Sequence, residues 1–508
     1  MLTNRFSYLD IAGYGDDILH PEHVEYAPLY MRIRDCLDSR IKEKGSVYLP
    51  DPSEGVHDKE LRELRYKNYL QRACFVPVTR RTRDGLVAQV LMRKPKVQSP
   101  EDRNNLLQRV SARGNSILSL ANVALAENVA FGRGAFVVTY AANADRPFID
   151  FVQTEDIITW AELPYGMVDD IGRNVGSITV RKFFDTLGSD GVSVTKVAQL
   201  TQYTLSNQGV VWVRRKHSSL GPASTSNNTK WTDYELLRVK GEAVRHIPVF
   251  PQGCEDNDIA IQTPPLGELA DLNLSYYVNS ADYEEFAKLA GQVTPVFSGL
   301  KSDWYTKHIE GKVMFGMRTP VGLNEGATAQ LLQAQPNSVA KEMLDKKEAQ
   351  MVAVGARLIE ERKIRRTATE ASLEDQSYHS ILGHIASNTS DAFNQALNFF
   401  GKYYGLPEGA LTIRLNDDFS TISSDAEHRR LLLEEYVAGV RTFEEYRNAL
   451  RNYDATLGDD DESAKKTIIT EAKSFKKVLA ESTMQKPQAA GEMKQDNRTK
   501  SKQPSKED

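Results

Sequence analysis

The chain has 508 residues, of which 40% are apolar and 26% charged, and its formal net charge is −5. A chain of this length exceeds what one hydrophobic core organises, so several domains are expected. The negative charge excludes the uniformly basic surface of a protein that grips nucleic acid tightly, although it permits a surface along which DNA slides.

Two regions of different periodicity form the first half of the chain. Residues 1–134 have apolar residues at helical spacing and predict a mainly helical domain, in which Leu61 and Leu64 form one apolar stripe and Ile117 to Val129 a buried helix. Residues 135–263 predict a β-rich domain, because β-branched and aromatic runs alternate with glycine-containing turns. The predicted strands are 136–140, 148–152, 177–181, 202–205, 210–214 and 234–237.

A long helix is predicted for residues 264–290, where two prolines suit the first turn. At about 100° per residue, its apolar side consists of Leu269, Leu272, Tyr276, Tyr283, Ala287 and Ala290. The neighbouring polar side consists of Glu268, Asp271, Ser275, Asp282 and Glu285. A solvated charged face explains most stripes of this kind, and an acidic wall that repels phosphate is the functional alternative.

A short β insert is predicted for residues 291–335, because candidate strands at 294–297, 313–317 and 329–332 are separated by glycine, proline and asparagine. Helical periodicity returns in residues 336–361. Residues 362–372 begin with four cations, Arg362, Lys363, Arg365 and Arg366. A third amphipathic helix is predicted within residues 373–420 and ends at Gly405.

The C-terminal part predicts further helices and a tail. Residues 421–482 predict three helices, the second of which begins with a capping box formed by Thr442 and Glu445. Residues 483–508 are rich in Lys, Gln and Pro and have almost no apolar side chains, which predicts disorder.

Motifs for catalysis and cofactor binding are missing from the sequence. Neither the phosphate-loop pattern GxxxxGK[ST] nor the nucleophile motif GxSxG occurs. A metal site at His20 and His23 is less well supported than a solvated loop, because no Cys or acidic cluster completes a ligand set. Three separated cysteines without a CxxC pattern favour a reducing compartment. We therefore expect no enzyme activity, cofactor or metal, and the lack of an 18-residue apolar run or signal segment predicts no membrane partner.

An ordered series of short motifs spans most of residues 25–450. The series is YAPLYMRIRD at 26–35, VYLP at 47–50, YLQRACF at 69–75, RT at 81–82, GRGAFVV at 132–138, RPFI at 146–149, EDIITW at 155–160, PPL at 264–266, SADY at 280–283 and RTATEA at 366–371. In this order the motifs resemble the portal, or head-to-tail connector, proteins of tailed bacteriophages.

The resemblance implies an α+β, multidomain portal-type fold with a helical and β wing, a helical stem, a β-containing clip and a helical crown. In these terms residues 1–134 are the helical wing, 135–263 the β-rich wing, 264–290 the first stem helix, 291–335 the clip, 336–361 the second stem helix, 362–372 the tunnel loop, 373–420 the tunnel helix and wing return, 421–482 the crown and 483–508 the disordered tail.

The resemblance also implies the partners. The chain would form a homo-oligomeric ring, a dodecamer, at a unique capsid vertex, and double-stranded DNA would pass through it during packaging and ejection. The terminase large subunit and later the head-tail adaptor would dock on this ring, next to the major capsid protein, in a virion whose parts are made in the host cytoplasm. The alternatives are a metal-dependent enzyme that acts on nucleic acid and another structural protein of a virion.

The portal resemblance assigns roles to the charged segments. Glu268, Asp271, Asp282 and Glu285 would line the channel and repel phosphate, so that DNA moves with little friction. Arg362, Lys363, Arg365 and Arg366 would form a basic collar, for which a solvated helix end is the alternative. A second cluster is predicted in and around a β segment, and there a solvated or subunit-pairing edge is as well supported as DNA contact. Its members are Arg72, Arg80, Arg81, Arg83, Arg93, Lys94 and Lys96.

Overall fold

The computed structural model describes residues 19–53, 55, 57–100, 103–141, 146–187, 191–220, 230–291, 294–308, 323, 325–332, 338–358, 380–417, 425–451 and 461–471. These residues form a mixed α+β structure with several small antiparallel sheets. The chain divides into two compact units, Met1–Ser420 and Thr421–Asp508. The α+β class is confirmed, whereas the portal domains and their boundaries stay predictions.

Within the described residues, five α-helices open the first unit, in agreement with the helical periodicity of this region. They are α1 (Pro21–Asp38), α2 (Lys59–Arg72), α3 (Val78–Leu91), α4 (Asn104–Gln108) and α5 (Ile117–Phe131), with a 3-10 helix at Ile41–Val47. The helix α5 begins at Ser116, whose hydroxyl accepts a hydrogen bond from the Ser119 N–H. It ends at Gly132, whose φ of 63° is in the left-handed region that glycine tolerates best. As predicted, α5 is largely buried.

The β-rich region follows, and every strand predicted from the sequence overlaps an observed one. The strands of the first unit up to residue 253 are β1 (Lys96–Gln98), β2 (Arg133–Ala141), β3 (Arg146–Val152), β4 (Ile157–Ala161), β5 (Ser177–Leu187), β6 (Val194–Leu205), β7 (Val211–Leu220), β8 (Glu235–Leu236), β9 (Arg238–Val239), β10 (Glu242–Ala243) and β11 (Val249–Gly253). One antiparallel sheet has the order β11-β2-β3, a second runs from β4 to β8 in sequence order, and β9 pairs with β10.

A helix, a β insert and two further helices complete the first unit in the predicted order. They are α6 (Gly267–Gly291), β12 (Thr294–Ser298), α7 (Ser302–His308), β13 (Thr328–Leu332), α8 (Ser338–Arg357), α9 (Ile381–Tyr404) and β14 (Thr412–Arg414). β12 pairs with β13, and β14 pairs with β1. The short helix α7 was not predicted, because seven residues are too few to show a helical period. The predicted strand at 313–317 lies outside the described residues.

The core of the first unit lies where α9 packs against α5 and the β11-β2-β3 sheet. The ring of Phe393 stacks on that of Phe136, with 4.4 Å between centroids. The α9 residues that the sequence placed on one side and the structure buries are Leu382, Ile385, Phe393, Leu397 and Phe400. The amphipathic pattern of this helix therefore predicts its buried side correctly.

An ion cluster is buried between α1, α5 and the segment before β4. The Arg34 guanidinium donates to both carboxylate oxygens of Glu155, at 2.7 and 2.6 Å, and to Oε1 of Glu127 at 2.6 Å. Burial alone would raise the pKa of Glu155, but the adjacent Arg34 charge holds it below its ordinary value. Burial keeps the pKa of Glu127 above its ordinary value. The single charged residue of the apolar helix α5, Glu127, is the sequence signal of this cluster.

The second unit contains α10 (Asp425–Val437), α11 (Phe443–Arg451) and a helix at 461–471. The predicted capping box at the start of α11 is confirmed. The Thr442 N–H donates to Oε2 of Glu445 at 2.8 Å, and the Glu445 N–H donates to the Thr442 hydroxyl at 3.3 Å. The tail at 483–508 lies outside the described residues.

Candidate functional site

One side of α6 is fixed against the N-terminal helices. Its buried residues include Leu266, Leu269, Ala270, Leu274, Tyr277 and Ala281. The buried amide of Asn273 accepts hydrogen bonds from the N–H and the hydroxyl of Thr79, at 3.2 and 3.0 Å, and donates to the carbonyl of Val76 at 2.9 Å. These bonds compensate the burial of a polar side chain and fix the rotation of α6 about its own axis.

The buried tyrosine of α6 differs from the predicted one. The sequence places Tyr276 on the packed side, whereas the structure buries Tyr277 completely and leaves Tyr276 partly exposed. The helix contacts α1, α2 and α3 as well as α8, so its apolar residues serve more than one neighbour. A single averaged stripe therefore gives the wrong orientation.

The helix α8 packs beside α6 and runs back in the opposite direction. The Lys347 ammonium donates to the Ser275 carbonyl at 3.1 Å and to the Ser275 hydroxyl at 2.5 Å. Burial raises the pKa of Tyr276, and the carboxylates of Glu348 and Asp345 on α8 raise it further. Because β12 and β13 pair between the two helices in the sequence, α6, the insert and α8 form one long hairpin.

Three of the four predicted channel carboxylates contact side chains of α1 and α2. Asp271 accepts from Arg32 Nε at 2.8 Å, Asp282 accepts from the Tyr69 hydroxyl at 2.5 Å, and Glu285 is paired with Arg72. Burial and this hydrogen bond to Asp282 both raise the pKa of Tyr69. The fourth carboxylate, Glu268, is exposed near the start of α6. The structure thus brings the acids to one side of α6, but most of them tie the helix to its own subunit.

The four cations of the predicted collar lie outside the described residues. Arg362, Lys363, Arg365 and Arg366 belong to the stretch 359–379. The residues that flank this stretch meet, because the Leu382 N–H donates to the Leu358 carbonyl at 3.1 Å. The chain therefore leaves the end of α8 and returns to the same point before α9 begins.

The second basic cluster is helical, and its predicted β environment is wrong except at Lys96 in β1. Arg72 ends α2, Arg80, Arg81 and Arg83 lie on α3, and Arg93 and Lys94 follow α3. Buried residues at helical spacing, Thr79, Leu86, Val87 and Val90, explain the helix. Arg80 and Arg83 both pair with Asp84, at 3.7 and 2.6 Å. Much of this positive charge is thus compensated within the subunit.

The predicted solvated loop at His20 and His23 is also wrong. His20 precedes the first turn of α1 and stacks on Trp160 at 3.8 Å, and His23 is buried. Burial, together with the nearby Arg133 charge, lowers the pKa of His23 to about 4. A buried neutral imidazole in the core takes the place of the loop.

Other candidate sites were sought in the described ranges. These ranges contain no group of three or more His, Cys, Asp or Glu residues that could hold a metal ion. A cleft of about 450 Å³ lies between α9 and the β1–β14 pair, and its charged lining residues are Lys96, Arg414, Asp391 and Asp417. Two cations and two carboxylates make this cleft neutral. Among the helices in the same ranges, none has both the length and the hydropathy required to span a bilayer.

Comparison with known proteins adds one family and a group of structures. Residues 265–404 match the Domain of unknown function (DUF4055). This match covers α6, the insert, α8 and α9. No curated protein matches the sequence.

Chains from gene transfer agent (GTA) particles are distantly similar in structure. The chain from the neck of the native GTA particle, computed with C12 symmetry, is 13% identical with a TM-score of 0.39, over 75% of this chain and 92% of that one. A chain from the virion of the native particle is 12% identical with a TM-score of 0.38, over 80% and 98%. A chain from the neck of the empty particle, computed with C6 symmetry, is 12% identical with a TM-score of 0.36, over 75% and 92%.

Proposed function

We propose that the protein is a portal subunit of a phage-like particle, which forms a ring at a capsid vertex and conducts double-stranded DNA. The observation that carries the proposal is the hairpin of α6 and α8, with the β12–β13 pair between them in sequence. In the same hairpin, α8 leads through a segment with adjoining ends into α9. This order fits the stem, clip and tunnel loop that the sequence motifs imply.

The dimensions of the hairpin fit a stem. At about 1.5 Å per residue, the 25 residues of α6 extend roughly 37 Å and the 20 residues of α8 roughly 30 Å. The side chains of Val296 and Leu331 in the insert are 40% and 74% exposed. An exposed β pair between two long helices is suited to contacts with other proteins, here the terminase large subunit and the head-tail adaptor.

Ion pairing within the subunit changes the electrostatics of the proposed channel wall. Arg32 and Arg72 partly neutralise the carboxylates of α6, and the helix with these two partners keeps a net charge of −2. A weakly negative wall still disfavours tight binding of phosphate. The pairs also hold the wall against the wing helices, so that Asp271 and Glu285 have a structural role as well as the proposed channel-lining one.

Ring formation tests the proposal directly. Purified full-length protein is expected to form closed rings of one size in negative-stain images, and double-stranded DNA incubated with Mg²⁺ should stay intact. A monomer that cleaves DNA only with a divalent metal would favour the nuclease alternative. Filaments or open sheets without a central channel would favour another structural role in the virion.

The proposed collar gives a separate prediction. Changing Arg362, Lys363, Arg365 and Arg366 together to Gln should leave the rings unchanged and lower the DNA retained per particle, because symmetry repeats these weak phosphate contacts around the axis. The measurement is packaged DNA per particle in mutant and parent assembled in parallel. The matched control changes Arg80, Arg81, Arg83 and Arg93 to Gln and should retain the parental DNA content. Parental DNA content in the collar variant would remove these cations from the mechanism.

A further inference from the structure

The five-stranded sheet has two faces of different character. One face packs into the core through Ile178, Val180, Tyr203, Val211 and Val213. The opposite face, here called the outer face, carries the alternate residues of β5, β6 and β7, as the strand register requires. On the outer face, Phe183 lies opposite Ala198 and Leu187 opposite Val194.

The outer face is apolar towards the end of the β5–β6 hairpin. Leu187 and Val194 form a cross-strand pair, and their side chains are 67% and 63% exposed. At the other end of the same face, Leu200 is fully buried. An apolar strip therefore begins under cover at Leu200 and ends in solvent, which is typical of a surface that another segment covers.

The N-terminal segment begins where this strip is covered. The side chain of Leu19 packs on Ile158 and Leu200. The His20 N–H donates to the carbonyl of Ile158 in the edge strand β4 at 3.1 Å, and the His20 ring stacks on Trp160. Residues 1–18 are therefore attached to the outer face at its buried end.

The length of the N-terminal segment suffices to cover the strip. Leu200 and Val194 are six residues apart in β6, about 20 Å at the rise of a strand. The 18 residues before Leu19 can extend about 60 Å. The segment has apolar residues to place on the strip, namely Leu2, Phe6, Tyr8, Leu9, Ile11, Tyr14 and Ile18.

The charges of the segment and of the outer face are complementary. Residues 1–18 contain three aspartates, Asp10, Asp16 and Asp17, and one arginine, a net charge of −2. The outer face of the three central strands contains Arg181, Lys196, Arg214, Lys216 and one carboxylate, Asp185. The cations of Arg181 and Lys196 lie 5.1 and 6.0 Å from the centre of the Phe183 ring, so the apolar strip is bordered by positive charge.

We propose that residues 1–18 dock along the outer face of the five-stranded sheet of their own chain. Apolar side chains of the segment cover Phe183, Leu187 and Val194, and its aspartates lie next to Lys196 and the neighbouring cations. The segment thereby shields an apolar sheet surface and an edge of β5 that would otherwise be open to pairing with other chains.

Hydrogen exchange of residues 1–18 in the full-length protein tests the docking. The segment is expected to be protected in the parent and to lose protection in Lys196→Glu and in Leu187→Ser/Val194→Ser. Combining Lys196→Glu with Asp16→Lys and Asp17→Lys should restore protection, because the charges are exchanged. The matched control, Lys67→Glu on α2, should retain parental protection. Unprotected exchange in the parent, or protection that none of the outer-face variants lowers, would overturn the proposal.

Carboxyl-to-amine cross-linking identifies the chain that supplies the segment. In a mixture of ¹⁴N- and ¹⁵N-labelled protein, links between Asp16 or Asp17 and Lys196 are expected within one isotope only. Mixed-isotope links would overturn docking on the same chain. Neither experiment requires a ring, so the result is independent of the proposed portal function.

Discussion

Tyr277→Ala is expected to lower the free energy of unfolding of the first unit by about 3 to 5 kcal/mol, the usual cost of deleting a fully buried aromatic ring. Tyr277 is completely buried near the middle of α6, where its ring meets that of Phe75 edge-on at 5.8 Å between centroids. Alanine leaves a cavity between α6 and the N-terminal helices. The measurement is urea unfolding followed by tryptophan fluorescence, since Trp160, Trp212, Trp231 and Trp304 all lie in the first unit.

Two neighbouring variants are matched controls for Tyr277→Ala. Tyr276→Ala should cost clearly less, because Tyr276 is only partly buried. Tyr277→Phe should be nearly neutral, because the Tyr277 hydroxyl is buried and has no hydrogen-bond partner among the described residues. Equal losses for Tyr276→Ala and Tyr277→Ala would show that the rotation of α6 is different. Since Tyr277 is already buried within one subunit, its loss should affect folding before it affects assembly.

Arg34→Met is expected to destabilise the first unit by about 3 to 5 kcal/mol at neutral pH, because two buried carboxylates lose their common cation. Arg34 bonds to Glu127 and Glu155, whose side chains are 6% and 12% exposed. The matched control is Arg32→Met, two residues away on α1. Arg32 pairs with the 53% exposed Asp271, so its loss should cost about 0 to 1 kcal/mol.

The Arg34 variant should also respond to pH in a characteristic direction. In the parent, Arg34 holds the pKa of Glu155 low, so this carboxylate contributes stability at neutral pH that is lost as the pH falls through its folded-state pKa. Without Arg34, burial raises the folded-state pKa of the carboxylates above the unfolded value, and protonation then favours the folded state. The difference in stability between variant and parent should therefore shrink from pH 8 to pH 5. A constant difference over this range would contradict a buried ion cluster.

Sequence periodicity succeeded where one element has one dominant neighbour or a complete local signal. The buried side of α9 follows from its apolar residues, because a single core receives them. The capping box of Thr442 and Glu445 is local, so four residues suffice to predict its two hydrogen bonds. The strands β12 and β13 were likewise marked by β-forming residues between turns.

By itself, the sequence determined the α+β class, the order of the elements and the helix, β insert and helix arrangement that carries the proposed function. Only the tertiary structure decided which tyrosine of α6 is buried, that Asp271 and Glu285 pair with Arg32 and Arg72, and that Arg34 joins Glu127 to Glu155. These contacts connect residues that are between 28 and more than 200 positions apart in the chain. Helical and strand periods report which side of an element is apolar, whereas the partner of a charge depends on which elements the whole fold brings together.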